Sequence, residues 1–123
     1  MAFEDTLAVK LVRKHKDGVT VACHLKPDFV NSQGALHGGV IASIADEAAW
    51  HALIHAYNDK QNCTTTELKI NYLRPIAVTK VVARVYALRA GKTLFVSRVD
   101  IFDSGKNLAA VGVVTYMLLR NSK

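Results

Sequence analysis

Apolar and polar residues alternate through most of the second half of the chain. Four long runs rich in β-branched residues have this period-two pattern, which predicts β-strands over residues 64–73, 79–88, 93–102 and 108–119. Turn signals such as Arg74-Pro75 separate the runs. Because the connections are short, we expect neighbouring strands to be antiparallel.

The first half of the chain has a different pattern. Residues 7–13 and 19–25 predict two strands, and the Asp17-Gly18 pair between them is a strong hairpin-turn signal. Residues 40–57 contain neither Pro nor Gly and are rich in alanine, which predicts a long helix. Apolar residues lie nearly all round this helix, so we expect it to be buried. The order β-β-α-β-β-β-β predicts an α+β fold with one long helix against an antiparallel sheet.

Composition and charge limit the class of protein. The chain has 123 residues, of which 50% are hydrophobic and 21% charged, so we expect one globular domain over residues 1–123. The net charge of +6 favours anionic ligands. The basic residues are scattered, however, so we expect no nucleic-acid partner. Acidic residues and histidines interrupt the most apolar stretch, residues 38–57, which argues against a membrane span.

The cysteines and the N-terminal residues indicate a compartment. Cys23 and Cys63 have neither a CxxC nor a zinc spacing, and we expect them to be small apolar residues in strands. Residues 1–10 include Glu4 and Asp5 and no apolar run, so we expect no signal peptide. These features are typical of a reduced, cytoplasmic protein.

Residues 31–46 carry the pattern that most suggests chemistry. The run His37-Gly38-Gly39 opens the predicted helix, where unpaired N–H groups and the helix dipole favour a developing negative charge. This is the arrangement of an oxyanion hole. Asp46 lies two turns further on, and a carboxylate that faces a cleft can act as general base or nucleophile. The ordinary alternative is a Gly-Gly helix start and a solvent-exposed Asp46.

The stretch from Asn31 to Gly39, with Asp46 nine residues after His37, resembles the hotdog-fold acyl-CoA thioesterases. It is most similar to the PaaI-like branch of the 4-hydroxybenzoyl-CoA thioesterase superfamily. Residues 67–75 and 89–93 resemble later segments of these proteins, and the similarity covers roughly residues 9–118. It implies a hotdog fold, in which an antiparallel sheet wraps around the central helix. It also implies a homodimer or homotetramer with active sites at the dimer interface.

The resemblance also implies roles for individual residues. The Gly38 N–H, beside His37, would hold the thioester carbonyl oxygen. Asn31 would contact the carbonyl region or the attacking water. Asp46, from the partner subunit, would act as nucleophile or as base on water, and Thr65 would lie near that water.

Neighbouring residues offer alternatives to two of these assignments. Glu47 adjoins Asp46, and because consecutive helix residues lie about 100° apart, we expect only one of them to face the site. The spacing from His37 favours Asp46. Thr64 and Thr66 are the alternatives to Thr65, and both would point to the opposite face of the strand.

Further residues are candidates for binding the substrate. Gly39 would lie beside the substrate, and Trp50, one turn after Asp46, would line the acyl pocket or fill the dimer core. Basic residues near predicted turns are candidates for the phosphates of coenzyme A, the alternative being ordinary solvated charges; they are Arg74, Arg89 and Lys92.

Other residues with polar or aromatic side chains are expected to be structural. His51 and His55 are one turn apart, as in some metal sites, but no third ligand is evident, so we expect packing and no metal. Tyr72 and Phe95 are expected in the core.

The sequence therefore predicts hydrolysis of an acyl-CoA thioester to a carboxylic acid and CoA, with no cofactor beyond the CoA of the substrate. The alternative from another class is a non-catalytic module that binds or senses acyl-CoA. Asp46 and Asn31 argue against that module, since a pure binder needs no carboxylate beside the thioester. The acyl group stays open between aromatic, medium-chain and long-chain, and a carrier-protein substrate is a further alternative.

Overall fold

The computed structural model describes residues 3–77 and 80–120, and it contains two α-helices and six strands in that part of the chain. The helices are α1 (Phe3–Leu7) and α2 (Gly38–Ala56), and a single 3-10 turn covers Pro27–Phe29. The strands are β1 (Val9–His15), β2 (Gly18–His24), β3 (Asn62–Tyr72), β4 (Lys80–Ala90), β5 (Leu94–Phe102) and β6 (Leu108–Leu119).

The strands form one antiparallel sheet in the order β1-β2-β4-β5-β6-β3, and α2 packs against it. The predicted α+β hotdog architecture is confirmed. The strand predicted from residue 79 has its first residue, Thr79, outside the described residues, and β4 continues to Ala90. The prediction that Leu7 begins a strand is wrong, because Leu7 ends α1 and Ala8, at φ 54°, turns the chain into β1.

The core lies between α2 and the concave face of the sheet. Four alanines of α2 are almost completely buried: Ala45, Ala48, Ala49 and Ala52. Small side chains let a helix lie close to its neighbour, and the buried valines of β2 and β4 belong to the same core cluster as these alanines. Phe95 is fully buried, as predicted.

Strand β3 forms one edge of the sheet and contains a bulge. The β3–β6 register shifts between Thr65 and Glu67, so Thr66 is an extra residue. Because of this residue, Thr65 faces α2 together with Ile70 and Tyr72, although simple alternation would separate them. The bulge therefore decides which β3 side chains reach the helix.

Two other predictions have structural outcomes. Cys23 and Cys63 are free and lie in β2 and β3, as expected. Within the described residues, no helix combines the length and the apolar character needed to cross a membrane.

Candidate active site

The start of α2 is shaped by His37, which is the N-cap residue. The His37 backbone is extended, and its Nδ1 accepts a hydrogen bond from the Gly39 N–H at 3.0 Å. The His37 carbonyl accepts from the N–H groups of Val40 and Ile41. Within the described part of the chain, this leaves the Gly38 N–H without an acceptor. Gly38 therefore presents a donor at the positive end of α2, whereas the Gly39 donor is already used.

Asn31 organises the loop that leads to α2. Its Oδ1 accepts from the N–H groups of Gln33, at 2.9 Å, and Ala35, at 3.2 Å. The loop is anchored further on, where the His37 N–H donates to the Phe29 carbonyl. Since the side-chain oxygen is occupied by the turn, Asn31 would meet a substrate through its Nδ2 donors.

Asp46 lies in the third turn of α2 and is half-buried. Thr65 Oγ1 donates to Asp46 Oδ1 at 3.0 Å, and the Tyr116 hydroxyl donates to the Asp46 carbonyl. Burial, with Asp46 nearby, raises the pKa of Tyr116, which keeps this hydroxyl protonated. Among the three threonines, Thr65 is the one placed on Asp46, and Thr66 Oγ1 instead donates to the Thr115 carbonyl.

A cavity of about 690 Å³ lies beside Asp46 and Thr65. Its walls are α1, the start of β1, the middle of α2 and the start of β3, and Trp50 and Cys63 contribute to the lining. Burial and the nearby Asp46 raise the pKa of the Cys63 thiol, so it stays protonated and is a poor nucleophile. Asp46 is therefore the better candidate for chemistry in this cavity.

Glu47 also lines the cavity, contrary to the expectation that only one of the two acids would do so. Burial raises the pKa of Glu47, and the charges of Glu4 and Asp46 add to the effect. In contrast to Asp46, Glu47 accepts no side-chain hydrogen bond within the described residues.

The two histidines of α2 hold the helix to β1. His51 Nε2 lies 3.3 Å from the Val9 carbonyl, and His55 Nε2 lies 2.8 Å from the His15 carbonyl. Across residues 3–77 and 80–120, no three His, Cys, Asp or Glu side chains are grouped so as to hold a metal ion. The predicted packing role of these histidines fits both contacts.

The prediction that Tyr72 is a core residue is wrong. Its side chain is 52% exposed, and its hydroxyl donates to the Gly38 carbonyl at 2.8 Å. Sequence alternation did not indicate this contact, because the bulge at Thr66 places the Tyr72 side chain on the same face of β3 as Thr65.

The candidate phosphate-binding residues lie at opposite ends of α2. Arg74 follows β3, close to Tyr72 and the helix start. Arg89 and Lys92 belong to the β4–β5 hairpin, which Tyr57 at the other helix end contacts through a 2.6 Å hydrogen bond to the Gly91 carbonyl. All three basic side chains are exposed. Since 19 residues of helix span about 28 Å, the two groups are far apart within one chain.

Comparison with known proteins assigns the class. A sheet wrapped around a long helix, with an open N–H at the helix start and a carboxylate held by a threonine, is an arrangement suited to hydrolysis of activated acyl groups. The family model described as the Thioesterase superfamily matches residues 33–110, which contain both features. The chain belongs to the thioesterase superfamily, and it is an enzyme of the thioester hydrolase class.

Individual relatives agree with this assignment. The chain is 32% identical to the medium/long-chain acyl-CoA thioesterase YigI of Escherichia coli K12, over 96% of this chain and 86% of that protein. The solved structure of conserved protein PA5202 from Pseudomonas aeruginosa is 25% identical, with a TM-score of 0.87 and coverage of 97% and 94%. The PaaI protein of the E. coli phenylacetic acid degradation operon is 18% identical, with a TM-score of 0.86 and coverage of 99% and 87%, and so shares the fold. The resemblance seen in residues 31–46 is confirmed at the level of the superfamily.

Proposed function

We propose that the chain hydrolyses an acyl-CoA thioester to a carboxylic acid and CoA. The observation that carries the proposal is the Thr65–Asp46 hydrogen bond beside the 690 Å³ cavity. Membership of the thioesterase superfamily and the name of the YigI relative support the substrate class. A thioester is already activated, so a carboxylate and an oxyanion donor suffice, and we propose no cofactor besides the CoA of the substrate.

The geometry of Asp46 supports two chemical routes. Thr65 donates to Oδ1, which leaves Oδ2 free to accept a proton from water or to attack the carbonyl carbon. In the first route, the resulting hydroxide adds to the carbonyl carbon, and the Gly38 N–H donates to the oxyanion. Collapse of the tetrahedral intermediate breaks the C–S bond, and the CoA thiolate takes up the proton from Asp46. In the second route, Asp46 attacks the carbonyl carbon and the C–S bond breaks, which releases the CoA thiolate and leaves an anhydride. Water then hydrolyses the anhydride, which releases the acid, regenerates the Asp46 carboxylate and supplies the proton that the thiolate takes up.

The separation of Gly38 from Asp46 supports an active site built from two chains. The two residues are eight positions apart on one helix, which corresponds to about 12 Å along its axis. The Gly38 N–H must lie about 3 Å from the thioester carbonyl oxygen, and Asp46 must contact either the carbonyl carbon or the water that attacks it, so one chain cannot supply both. We therefore propose a homodimer in which Gly38 of one subunit meets Asp46 of the other.

The exposed edge of the sheet supports β3 as the interface. A long edge strand leaves backbone groups unpaired and is a template for pairing with another chain. Leu68, Tyr72 and Leu73 are large, exposed side chains in this region. Pairing of dimers into a tetramer is the further assembly implied by the resemblance.

The net charge of +6 supports binding of the CoA phosphates by Arg74, Arg89 and Lys92. Two antiparallel helices in a dimer would bring the start of one α2 near the end of the other. Arg74 of one subunit and the hairpin of the partner would then bind one CoA together. The free cysteines and this substrate fit our proposal of a cytoplasmic enzyme.

The test is thiol release from aromatic, medium-chain and long-chain acyl-CoAs, with the wild type beside Asp46→Asn. We expect kcat to fall at least about 100-fold in the variant, because it lacks the base or nucleophile. Asp59→Asn is the matched control, since Asp59 is exposed at φ 68°, a conformation that Asn also adopts. Release by the wild type and by Asp46→Asn at equal rates would refute the role of Asp46. Absence of release from every acyl-CoA would refute the proposed substrate class.

A further inference from the structure

We propose that Tyr72 is a positioning residue that fixes the backbone at Gly38 and so aims the Gly38 N–H at the substrate oxygen. The proposal rests on the proposed function, since it takes the Gly38 N–H as the oxyanion donor. Tyr72 lies at the end of β3, and its hydroxyl donates to the Gly38 carbonyl at 2.8 Å. A Cβ atom placed on Gly38 would lie 3.5 Å from the Tyr72 hydroxyl and 3.6 Å from Cζ, so the ring lies against this residue.

The contact matters because glycine at the first helical position leaves its backbone free to move. The peptide that precedes Gly38 is held at its oxygen, where the His37 carbonyl accepts from Val40 and Ile41. The peptide that follows Gly38 is held at both ends. Its oxygen accepts from Tyr72, and its nitrogen, that of Gly39, donates to His37 Nδ1.

These contacts form a hydrogen-bonded chain from Tyr72 through the Gly38–Gly39 peptide to the His37 ring. Because Gly39 donates to Nδ1, a neutral His37 carries its proton on Nε2. Polarisation of the peptide by the Tyr72 hydroxyl strengthens the bond that Gly39 makes with His37. Tyr72 thus adds a side-chain hydrogen bond to the carbonyl of the first residue of α2, which also accepts within the helix ladder.

Strand β3 carries this positioning function at both of its ends. Thr65 near its start bonds Asp46, and Tyr72 at its end bonds Gly38. The two residues are seven positions apart, so they would face opposite sides of a regular strand. The bulge at Thr66 places both on the helix side. One strand therefore orients the carboxylate and the oxyanion donor of each chain.

The experiment compares Tyr72→Phe with the matched control Tyr57→Phe. Both variants lose one hydroxyl that donates to a glycine carbonyl, but Tyr57 lies at the far end of α2. We expect kcat to fall about 3- to 10-fold in Tyr72→Phe, with KM within about twofold of the wild type, as for loss of one net hydrogen bond used in the transition state. We expect Tyr57→Phe to retain kcat. A purely structural role would change the melting temperature and leave kcat unchanged.

A second readout needs no substrate. Amide hydrogen exchange followed by NMR should show the Gly39 N–H exchanging several-fold faster in Tyr72→Phe, and unchanged in Tyr57→Phe. The inference is overturned if kcat of Tyr72→Phe stays within twofold of an active wild type. If the wild type releases no thiol, the proposed function is refuted. In that case, unchanged exchange of the Gly39 N–H in Tyr72→Phe overturns the positioning role as well.

Discussion

The separation of Gly38 and Asp46 along α2 makes the two-chain active site directly testable. The perturbation removes one partner at a time. Gly38→Pro deletes the N–H, and the helix start tolerates it, because proline is favoured at the first helical position. His37 at ψ 135° already has the extended conformation required before proline. We expect Gly38→Pro to lower kcat about 100- to 1000-fold, as for loss of one oxyanion donor.

Gly38→Ala is the matched control for this variant. It keeps the N–H and adds a methyl group 3.5 Å from the Tyr72 hydroxyl, which is an ordinary contact. We therefore expect Gly38→Ala to keep most of the activity. A loss as large as that of Gly38→Pro would show that bulk, and not the donor, explains the effect.

Mixing the two inactive variants then tests the interface. In a dimer of one Gly38→Pro chain and one Asp46→Asn chain, one site combines both substitutions and the other keeps native Gly38 and Asp46. Random pairing makes half of the dimers mixed, so co-expression should restore about a quarter of the wild-type activity. A site contained in a single chain restores nothing. Thiol release from the purified mixture, compared with each variant alone, decides between these outcomes, and absence of recovery refutes the two-chain site.

Two further predictions concern the residues around Asp46. Thr65→Val should lower kcat about tenfold, because Asp46 Oδ1 loses its donor, whereas Thr65→Ser should retain activity; equal loss in both would contradict this. Glu47→Gln should raise the melting temperature at pH 7 to 8. Burial raises the pKa of Glu47, so its contribution to stability is present at low pH and is lost as pH rises through that pKa. Thermal denaturation should show the gain vanishing towards pH 4, and a gain independent of pH would contradict it.

The fold could be predicted from the sequence because its elements are long and regular. Period-two alternation marks β3 to β6, and an alanine-rich run without Gly or Pro marks α2. The helix α1 was missed because its five residues are too few to show a helical period. It nevertheless forms one wall of the cavity beside Asp46. A segment that is short in sequence can thus complete a site that longer elements define.

The candidate site was only partly predictable, for a reason of register. Asp46 and Gly38 are candidates because of their spacing on one helix together with the family resemblance of residues 31–46. The contact of Tyr72 with Gly38 could not be predicted from the sequence. The face of β3 on which the Tyr72 side chain lies depends on a bulge that arises from the pairing of β3 with β6. The same bulge decides that Thr65, and not Thr66, bonds Asp46. Such a register shift depends on the partner strand and is not visible in the alternation of one segment.

The placement of Thr65 and Tyr72 on β3 also links the proposed interface to the proposed chemistry. Within one chain, Thr65 near the start of β3 bonds the Asp46 carboxylate, and Tyr72 at its end bonds the Gly38 carbonyl. Two β3 edges paired antiparallel about an axis near Leu68 and Lys69 would bring the start of one strand beside the end of the other. Asp46 of each chain would then meet Gly38 of its partner, which the 12 Å axial separation prevents within one chain. Substitutions that disturb this edge should therefore reduce dimerisation and activity together.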